Sequence, residues 1–140
     1  LDDVLMGSRF DSLVGLPWLE RGRSRDGCDC WGLVLIAFRE LLGVDLPSFA
    51  DSYQTTADRL AIADILSGAR EPWIAISPAD ARPMDVVEMR ERPWHVGLVI
   101  GRGQMLHMPA QKTALIEPFT TGRHAPRVTG IFRHVSQVAS

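Results

Sequence analysis

The sequence predicts an α+β fold in which N-terminal helices pack on a C-terminal antiparallel β-sheet. Apolar residues recur at helical spacing across residues 30–42, whereas short strand-like runs follow one another from Asp85 onward. The segment Gly101-Arg102-Gly103 is a tight turn signal that joins two of these runs as a hairpin. Helices that precede a series of strands are typical of the α+β class.

The helix over residues 30–42 has clear start and stop signals. Asp29 is a good N-cap residue, and Gly43 suits a helix C-terminal stop. Cys30 is therefore expected at a helix N-terminus, where the helix dipole and unpaired N–H groups stabilise a thiolate. A weak helical pattern over residues 1–16 and a capped pattern over about residues 56–66 predict two further helices.

The second half of the chain predicts a meander of five strands. They are expected over residues 85–89, 95–100, 104–108, 114–116 and 128–134. In the hairpin, His95 and Gly97 share one face, and a turn centred near Arg102 sets Gly97 opposite His107. The two histidines then lie within about 7–8 Å of each other as diagonal neighbours. Packing the helix on this face would bring Cys30 to His95 and pair a nucleophile with a base.

Composition limits the function classes. The 140 residues fit a single domain over residues 1–140, and 46% hydrophobic residues suffice for one core. A net charge of −2 and a pI near 6.1 give no basic field, so nucleic acid is not favoured as a partner. No apolar run approaches the length of a membrane-spanning helix, so membrane insertion is not expected, and the chain is expected to be soluble.

Ordered motifs carry a family resemblance. In chain order they are GLPW with Gly22, DCWGLV, LGVDLP, RPMDVVEM, HVGLVIG and MLHMP. From about Gly15 to His134, the chain resembles the NlpC-type papain-like cysteine peptidases, which cut peptidoglycan stem peptides. The Trp31 that follows the cysteine and the closing GIFRH resemble the subgroup of phage and prophage tails in particular.

The resemblance implies a papain-like fold and a Cys-His-His triad of Cys30, His95 and His107, with no cofactor and no metal. It implies cleavage between D-glutamate and the diamino acid of the stem peptide. The expected partners are peptidoglycan stem peptides and other phage tail proteins. The protein would be made in the cytoplasm, assembled into a tail and active at the cell wall. Four further residues are candidates for the substrate cleft: Trp18, Asp29, Trp31 and Trp94.

Three alternatives stay open. The fold could serve as a catalytically weak or inactive docking protein of tail assembly, or as an acyltransferase that acts on lipids. A Cys2His2 zinc site is a third alternative, although its Cys-x-Cys spacing is tighter than usual. Its ligands would be residues 28, 30, 95 and 107.

Several other side chains are expected to be structural. Cys28 is expected to be buried, and Asp29 to act as a cap more than as a catalytic acid. Asp85 is expected to cap or to pair with an arginine. His124 and His134 are expected at the surface.

Overall fold

The computed structural model describes residues 9–48, 72–91 and 95–138. Within these ranges the chain forms the α-helix Cys30–Ala37, a two-stranded hairpin and a six-stranded antiparallel sheet. The helix precedes the large sheet in the chain, which confirms the predicted α+β class. Among these residues, none of the helices has the length and apolar character needed to cross a membrane.

The strands have short and well-defined bounds. The small hairpin pairs β1 (Arg23–Ser24) with β2 (Gly27–Cys28). The large sheet contains, in chain order, β3 (Trp73–Ile76), β4 (Val86–Met89), β5 (His95–Gly101), β6 (Gln104–His107), β7 (Leu115–Pro118) and β8 (Val128–His134). Their spatial order is β3-β8-β4-β5-β6-β7, and each neighbouring pair is antiparallel. Short 3-10 turns cover Asp11–Leu13, Pro78–Asp80, Gly122–Arg127 and Val135–Gln137.

The helix α1 (Cys30–Ala37) begins where the sequence predicts. A π-helical turn over Phe38–Leu42 continues it, and Gly43 ends it in the left-handed conformation with φ of 67°. Glycine adopts this conformation without steric cost, which explains the stop. All eight residues of α1 are buried, because the helix lies between β5 and the small hairpin.

The five predicted strands are confirmed with small shifts at their ends. The predicted meander holds for β4 to β7 only, because β8 pairs with β4 and β3 instead of β7. The run predicted over residues 114–116 forms Leu115–Pro118, and the run over 128–134 forms β8 with unchanged bounds. Strand β3 was not predicted from the sequence. Its four residues, Trp-Ile-Ala-Ile, form an edge strand that pairs with β8 alone. A strand of four residues is too short to show a clear alternation of apolar and polar side chains.

The two faces of the large sheet bury different residues. Val96, Leu98 and Leu106 pack with α1 in one apolar cluster. Val99 and Met105 belong to a second cluster on the opposite face. Strand alternation places His95 and His107 on this second face, so the prediction that the helix packs on the histidine face is wrong. Both faces are apolar in sequence, and the helix occupies the one formed by even-numbered residues of β5.

A buried ion pair fastens β8 to the start of β4. Arg133 donates from Nε to Oδ1 of Asp85 and from Nη2 to Oδ2, each over 2.8 Å. Asp85 Oδ2 also accepts from the backbone N–H of Arg82 over 2.8 Å. Of the two roles expected for Asp85, a cap or a pair with an arginine, these bonds confirm the pair.

Some sequence-based predictions lie outside the described residues. These are the helix over about residues 56–66 and the cleft candidate Trp94. Of the helix predicted over residues 1–16, the structure describes the last part, where residues 9–10 are α-helical and Asp11–Leu13 forms a 3-10 turn. The extent of the single domain over residues 1–140 stays a prediction.

Candidate active site

The carboxylate of Asp29 organises the loop that leads into α1. Its Oδ1 accepts from the backbone N–H of Gly32 over 2.8 Å and from Nη1 of Arg23 over 2.9 Å. Its Oδ2 accepts from the backbone N–H of Arg21 over 3.0 Å. Asp29 is fully buried, so these protein donors occupy the carboxylate. The predicted cap is confirmed, and the side chain fixes where Cys30 stands.

Cys30 lies where the N-terminus of α1 meets the first peptide of β5. The backbone N–H groups of Val96 and Trp31 point to its sulfur and lower its pKa. Val96 follows His95 directly, so the thiol reaches the histidine end of β5 although α1 lies on the other face of the sheet. The sulfur thus lies against the N–H of the peptide that joins His95 to Val96.

Burial controls the charge of the cysteine. Cys30 is 4% exposed, and burial, followed by the negative charge of Asp29, raises its pKa to about 12. The two N–H groups and Arg23 act in the opposite direction and are weaker. The expectation of a thiolate at the helix N-terminus is therefore wrong for the resting protein. The cost of removing the thiolate from water exceeds the gain from the helix end.

The two histidines of the hairpin are directly bonded. His95 Nε2 lies 2.8 Å from His107 Nδ1, and the two rings meet edge to face. Gly97 stands opposite His107 in the ladder, as the turn position predicts. A Cβ at Gly97 would lie 3.2 Å from Cβ of His107 and 2.8 Å from Sδ of Met105. The glycine therefore leaves the room in which the two rings meet.

Both of these histidines are neutral in the resting protein. Burial, followed by the neighbouring His107 and His124, lowers the pKa of His95 to about 3. Burial also lowers the pKa of His107, although its hydrogen bond to Glu117 acts in the opposite direction. The resting site thus holds a neutral thiol and neutral imidazoles.

A chain of polar side chains continues beyond His107. His107 Nε2 lies 2.7 Å from Oε1 of Glu117, and His124 Nε2 lies 3.1 Å from the same oxygen. His124 Nδ1 in turn contacts Oε2 of Glu91. His124 is 3% exposed, so the expectation that it lies at the surface is wrong. The turn Gly122–Arg127 carries it over the histidine face of the sheet.

Sequence reasoning did not identify Glu117 as part of the site. The predicted strand ended at residue 116, one residue before it, whereas β7 runs to Pro118. In the ladder Glu117 pairs with Met105, which puts it on the histidine face and diagonal to His107. A longer strand read with the same alternation would have found it.

One group of side chains has the donor atoms of a metal site. The ligand atoms of His107, Glu117 and His124 lie within 4.8 Å of one another. These atoms already pair with each other, and the guanidinium of Arg123 lies 3.5 Å from Glu117 Oε1 and 3.3 Å from His124 Nε2. A positive charge therefore already stands at the group, which favours a hydrogen-bonded chain over a cation site. In the described part of the chain, the alternative Cys2His2 cluster of residues 28, 30, 95 and 107 does not form.

The remaining cleft candidates have different environments. Trp31 is buried, donates from Nε1 to the Pro47 carbonyl over 3.0 Å and packs in the core. Cys28 is buried as expected. Trp18 is half-buried, and its backbone forms an isolated β-bridge with Cys28, two residues before Cys30. Its place in a substrate cleft stays a prediction.

Comparisons with known proteins agree with this architecture. The model of the NlpC/P60 family matches residues 15–133. The gamma-DL-glutamyl hydrolase of Bacillus subtilis is 24% identical over 136 residues, which cover 94% of this chain and 29% of that protein. An NlpC/P60 family protein of Bacillus cereus has a TM-score of 0.64 at 21% identity, with 96% of this chain and 40% of that chain covered. The peptidoglycan hydrolase RipB of Mycobacterium tuberculosis has a TM-score of 0.62 at 23% identity, with 96% and 65% covered.

The chain thus spans less than half the length of the first two relatives. The solved structures share the fold of a helix packed on an antiparallel sheet, and the family match covers both the nucleophile motif and the two histidine motifs. On this match, the chain belongs to the NlpC/P60 family.

Proposed function

We propose that this chain is a cysteine hydrolase that cuts the stem peptides of peptidoglycan. Cys30 is the nucleophile, His95 is the base and His107 orients His95. The observation that carries the proposal is the meeting of three elements at one end of the sheet. The capped start of α1 holds the thiol at the N–H of Val96, and His95 bonds to His107 over 2.8 Å.

The neutral resting pair determines how the first step proceeds. As the Cys30 sulfur forms a bond to the amide carbonyl carbon, the thiol proton passes to Nδ1 of His95, the ring nitrogen that does not face His107. The resulting imidazolium then gives this proton to the leaving amine as the carbon–nitrogen bond breaks. Water hydrolyses the thioester, which releases the acid and restores the thiol.

The helix start also offers charge stabilisation. The first N–H groups of a helix have no acceptor within it, and the backbone N–H of Cys30 is one of them. A donor at this position can stabilise the negative oxygen of the tetrahedral intermediate. The capping carboxylate of Asp29 keeps this segment in place.

The names of two relatives support the substrate class. The Bacillus subtilis relative is a gamma-DL-glutamyl hydrolase, and RipB is a peptidoglycan hydrolase. A bond on the γ-carboxyl side of D-glutamate, next to the diamino acid, is thus the bond proposed for this chain. The substrate is the peptidoglycan stem peptide.

The proposed setting is a phage or prophage tail. Trp31 directly after the cysteine and the closing segment 130–134, GIFRH, support this assignment. In this setting the protein is made in the cytoplasm, joins other tail proteins and acts at the cell wall. Mass spectrometry of tails purified from the source strain after prophage induction should detect the chain. Its absence from intact tails would overturn the tail assignment and leave the hydrolase proposal in place.

The activity test uses defined muropeptides with tripeptide or tetrapeptide stems of several chemistries. The parent protein and the Cys30→Ala and Cys28→Ala variants are incubated with each, and the products are read by mass spectrometry. Cys28→Ala is the matched control, because it removes the other cysteine of the chain, which is also buried. The parent and Cys28→Ala should cleave one stem-peptide bond, and Cys30→Ala should cleave none.

Two results would overturn the proposal. Cleavage that survives in Cys30→Ala would exclude the thiol as nucleophile. A lack of cleavage by folded and reduced parent protein on all stems would favour the docking protein of tail assembly. Binding of the intact muropeptides without turnover would then identify such a module.

A further inference from the structure

The chain of polar groups behind His95 carries an inference about which ring nitrogen holds each proton. Two hydrogen bonds join Glu117 to His107 and His107 to His95 through defined atoms. Because each bond needs one donor and one acceptor, the state at one end determines the states of the two rings.

Glu117 is the starting point. Burial raises the pKa of Glu117, but hydrogen bonds from His107 and His124 outweigh it and lower the pKa below its ordinary value. The carboxylate is therefore ionised at neutral pH and can only accept. Its partner 2.7 Å away, Nε2 of His107, must donate and so carries the proton.

This assignment passes to the next ring. His107 is neutral, so a proton on Nε2 leaves Nδ1 as an acceptor. Nδ1 faces Nε2 of His95 over 2.8 Å, and His95 must therefore donate from Nε2. Since His95 is also neutral, its Nδ1 carries a lone pair. This is the nitrogen that accepts the thiol proton in the proposed reaction.

The opposite arrangement would disable the base. If His107 carried its proton on Nδ1, it would donate to Nε2 of His95. His95 would then hold its own proton on Nδ1, with its lone pair directed at His107 and away from the thiol. An ionised acceptor at Nε2 of His107 excludes this arrangement, whereas a donor there would favour it.

We propose that Glu117 is a positioning residue that sets the tautomers of His107 and His95, so that the lone pair of His95 lies on the nitrogen that receives the thiol proton. The inference rests on the proposed function for its catalytic consequence. The tautomers themselves do not depend on any substrate. Glu117 acts through His107, which it contacts over 2.7 Å.

Three further residues hold the carboxylate of Glu117 in place. His124 Nε2 lies 3.1 Å from the oxygen that His107 contacts, and Arg123 Nη2 lies 3.5 Å from it. Glu91 contacts the far nitrogen of His124. Donors on the other side of Glu117 therefore keep its Oε1 between the two rings.

The first measurement is heteronuclear NMR of the imidazole nitrogens at neutral pH, which distinguishes a protonated from an unprotonated ring nitrogen. In the parent protein, His107 and His95 should both carry the proton on Nε2. The His95 signals are assigned by their loss in His95→Asn. A proton on Nδ1 of His95 in the parent would overturn the inference without any change at Glu117.

The second measurement is on Glu117→Gln, which keeps the shape but replaces one acceptor oxygen with an amide that donates. We expect the Nδ1 tautomer to become populated at both histidines. With muropeptide substrate, kcat should fall by about ten-fold or more with little change in KM, since an analogous carboxylate-to-amide exchange in serine proteases acts through the wrong tautomer. Unchanged tautomers and unchanged kcat in a folded Glu117→Gln protein would overturn the inference.

The matched control is Glu88→Gln. Glu88 is a buried glutamate of the same sheet, and its Oε1 accepts from Oγ1 of Thr129 over 2.7 Å instead of from a histidine. This variant should keep the tautomers and kcat of the parent. A loss of kcat equal to that of Glu117→Gln would assign the effect to the loss of any carboxylate of this sheet and overturn the specific role. If the parent cleaves no muropeptide, the proposed function fails while the NMR result still decides the tautomers.

Discussion

The ionisation of Cys30 is open to direct measurement. The structure predicts a neutral thiol beside a neutral imidazole, because burial raises the pKa of Cys30 to about 12 and lowers that of His95 to about 3. A preformed thiolate–imidazolium pair would instead require a lowered pKa for Cys30 and a raised pKa for His95. In the neutral pair, the thiol proton moves to His95 during the attack on the substrate. In the ion pair, it has moved before the attack.

The magnitude follows from the pKa of the thiol. A pKa of about 12, compared with an ordinary value of 9.0, lowers the thiolate fraction at neutral pH by roughly a thousand-fold. A neutral His95 contributes no charge to the thiol, so its removal should leave the titration unchanged. In an ion pair, removal of the histidine would instead raise the pKa of the thiol by a large amount.

The assay is the far-ultraviolet absorbance of the thiolate in Cys28→Ala, where Cys30 is the remaining cysteine. This signal does not depend on reagent access, which matters for a buried sulfur. Cys28→Ala/Cys30→Ala provides the background at each pH. Absorbance should be absent between about pH 5 and pH 8 and rise only above about pH 10, with the same curve when His95→Asn is added.

The reasoning would be refuted by a thiolate signal present already near pH 6 and lost on the addition of His95→Asn. Such a result would show that the histidine holds a preformed ion pair. It would also mean that the desolvation of the thiol at the start of α1 is much weaker than its burial indicates.

Three further predictions concern stability. The pKa of His95 lies below its ordinary value, so near pH 6.5 the unfolded chain binds a proton that the folded protein does not bind. The free energy of unfolding should therefore fall as the pH decreases from about 6.5 towards 3. For this residue the fall is up to about 1.4 kcal/mol per pH unit. Urea unfolding across this range should show a shallower slope for His95→Asn, and an equal slope would contradict the assignment. Arg133→Met leaves the buried carboxylate of Asp85 unpaired and should lower the free energy of unfolding in urea by about 3–5 kcal/mol. The double variant Asp85→Leu/Arg133→Met should recover most of this loss. A loss below about 1 kcal/mol in the single variant would count against a buried pair. Gly97→Ala sets a Cβ 2.8 Å from Sδ of Met105 and should lower the free energy of unfolding by about 1–3 kcal/mol. Adding Met105→Ala should restore part of this loss. Equal stability of Gly97→Ala and the parent would show that the strands move apart without a cost in stability.

The local parts of the site were predictable because their causes are local. Asp29 as a cap and Gly43 as a stop depend on backbone preferences within one turn of the helix. The pairing of Gly97 with His107 follows from the short turn at Arg102, which sets the register of the hairpin. These features placed Cys30 at a helix start and the two histidines on one face.

The charge of the site was not predictable in the same way. The helix start favours a thiolate, and this preference is visible in the sequence. The opposing cost comes from the residues that exclude water from Cys30, and these arrive from β5 and from the small hairpin. Which term prevails depends on burial, which is a property of the packed molecule.

By itself, the sequence determined the order of helix and strands, the nucleophile at the start of α1 and the register that brings His95 to His107. Only the tertiary structure decided which face of the sheet the helix covers, since both faces are apolar and alternation does not distinguish them. It also decided that His124 is buried and that Glu117 meets His107. Those contacts join β6, β7 and a 3-10 turn, and they depend on how these elements pack rather than on local preference.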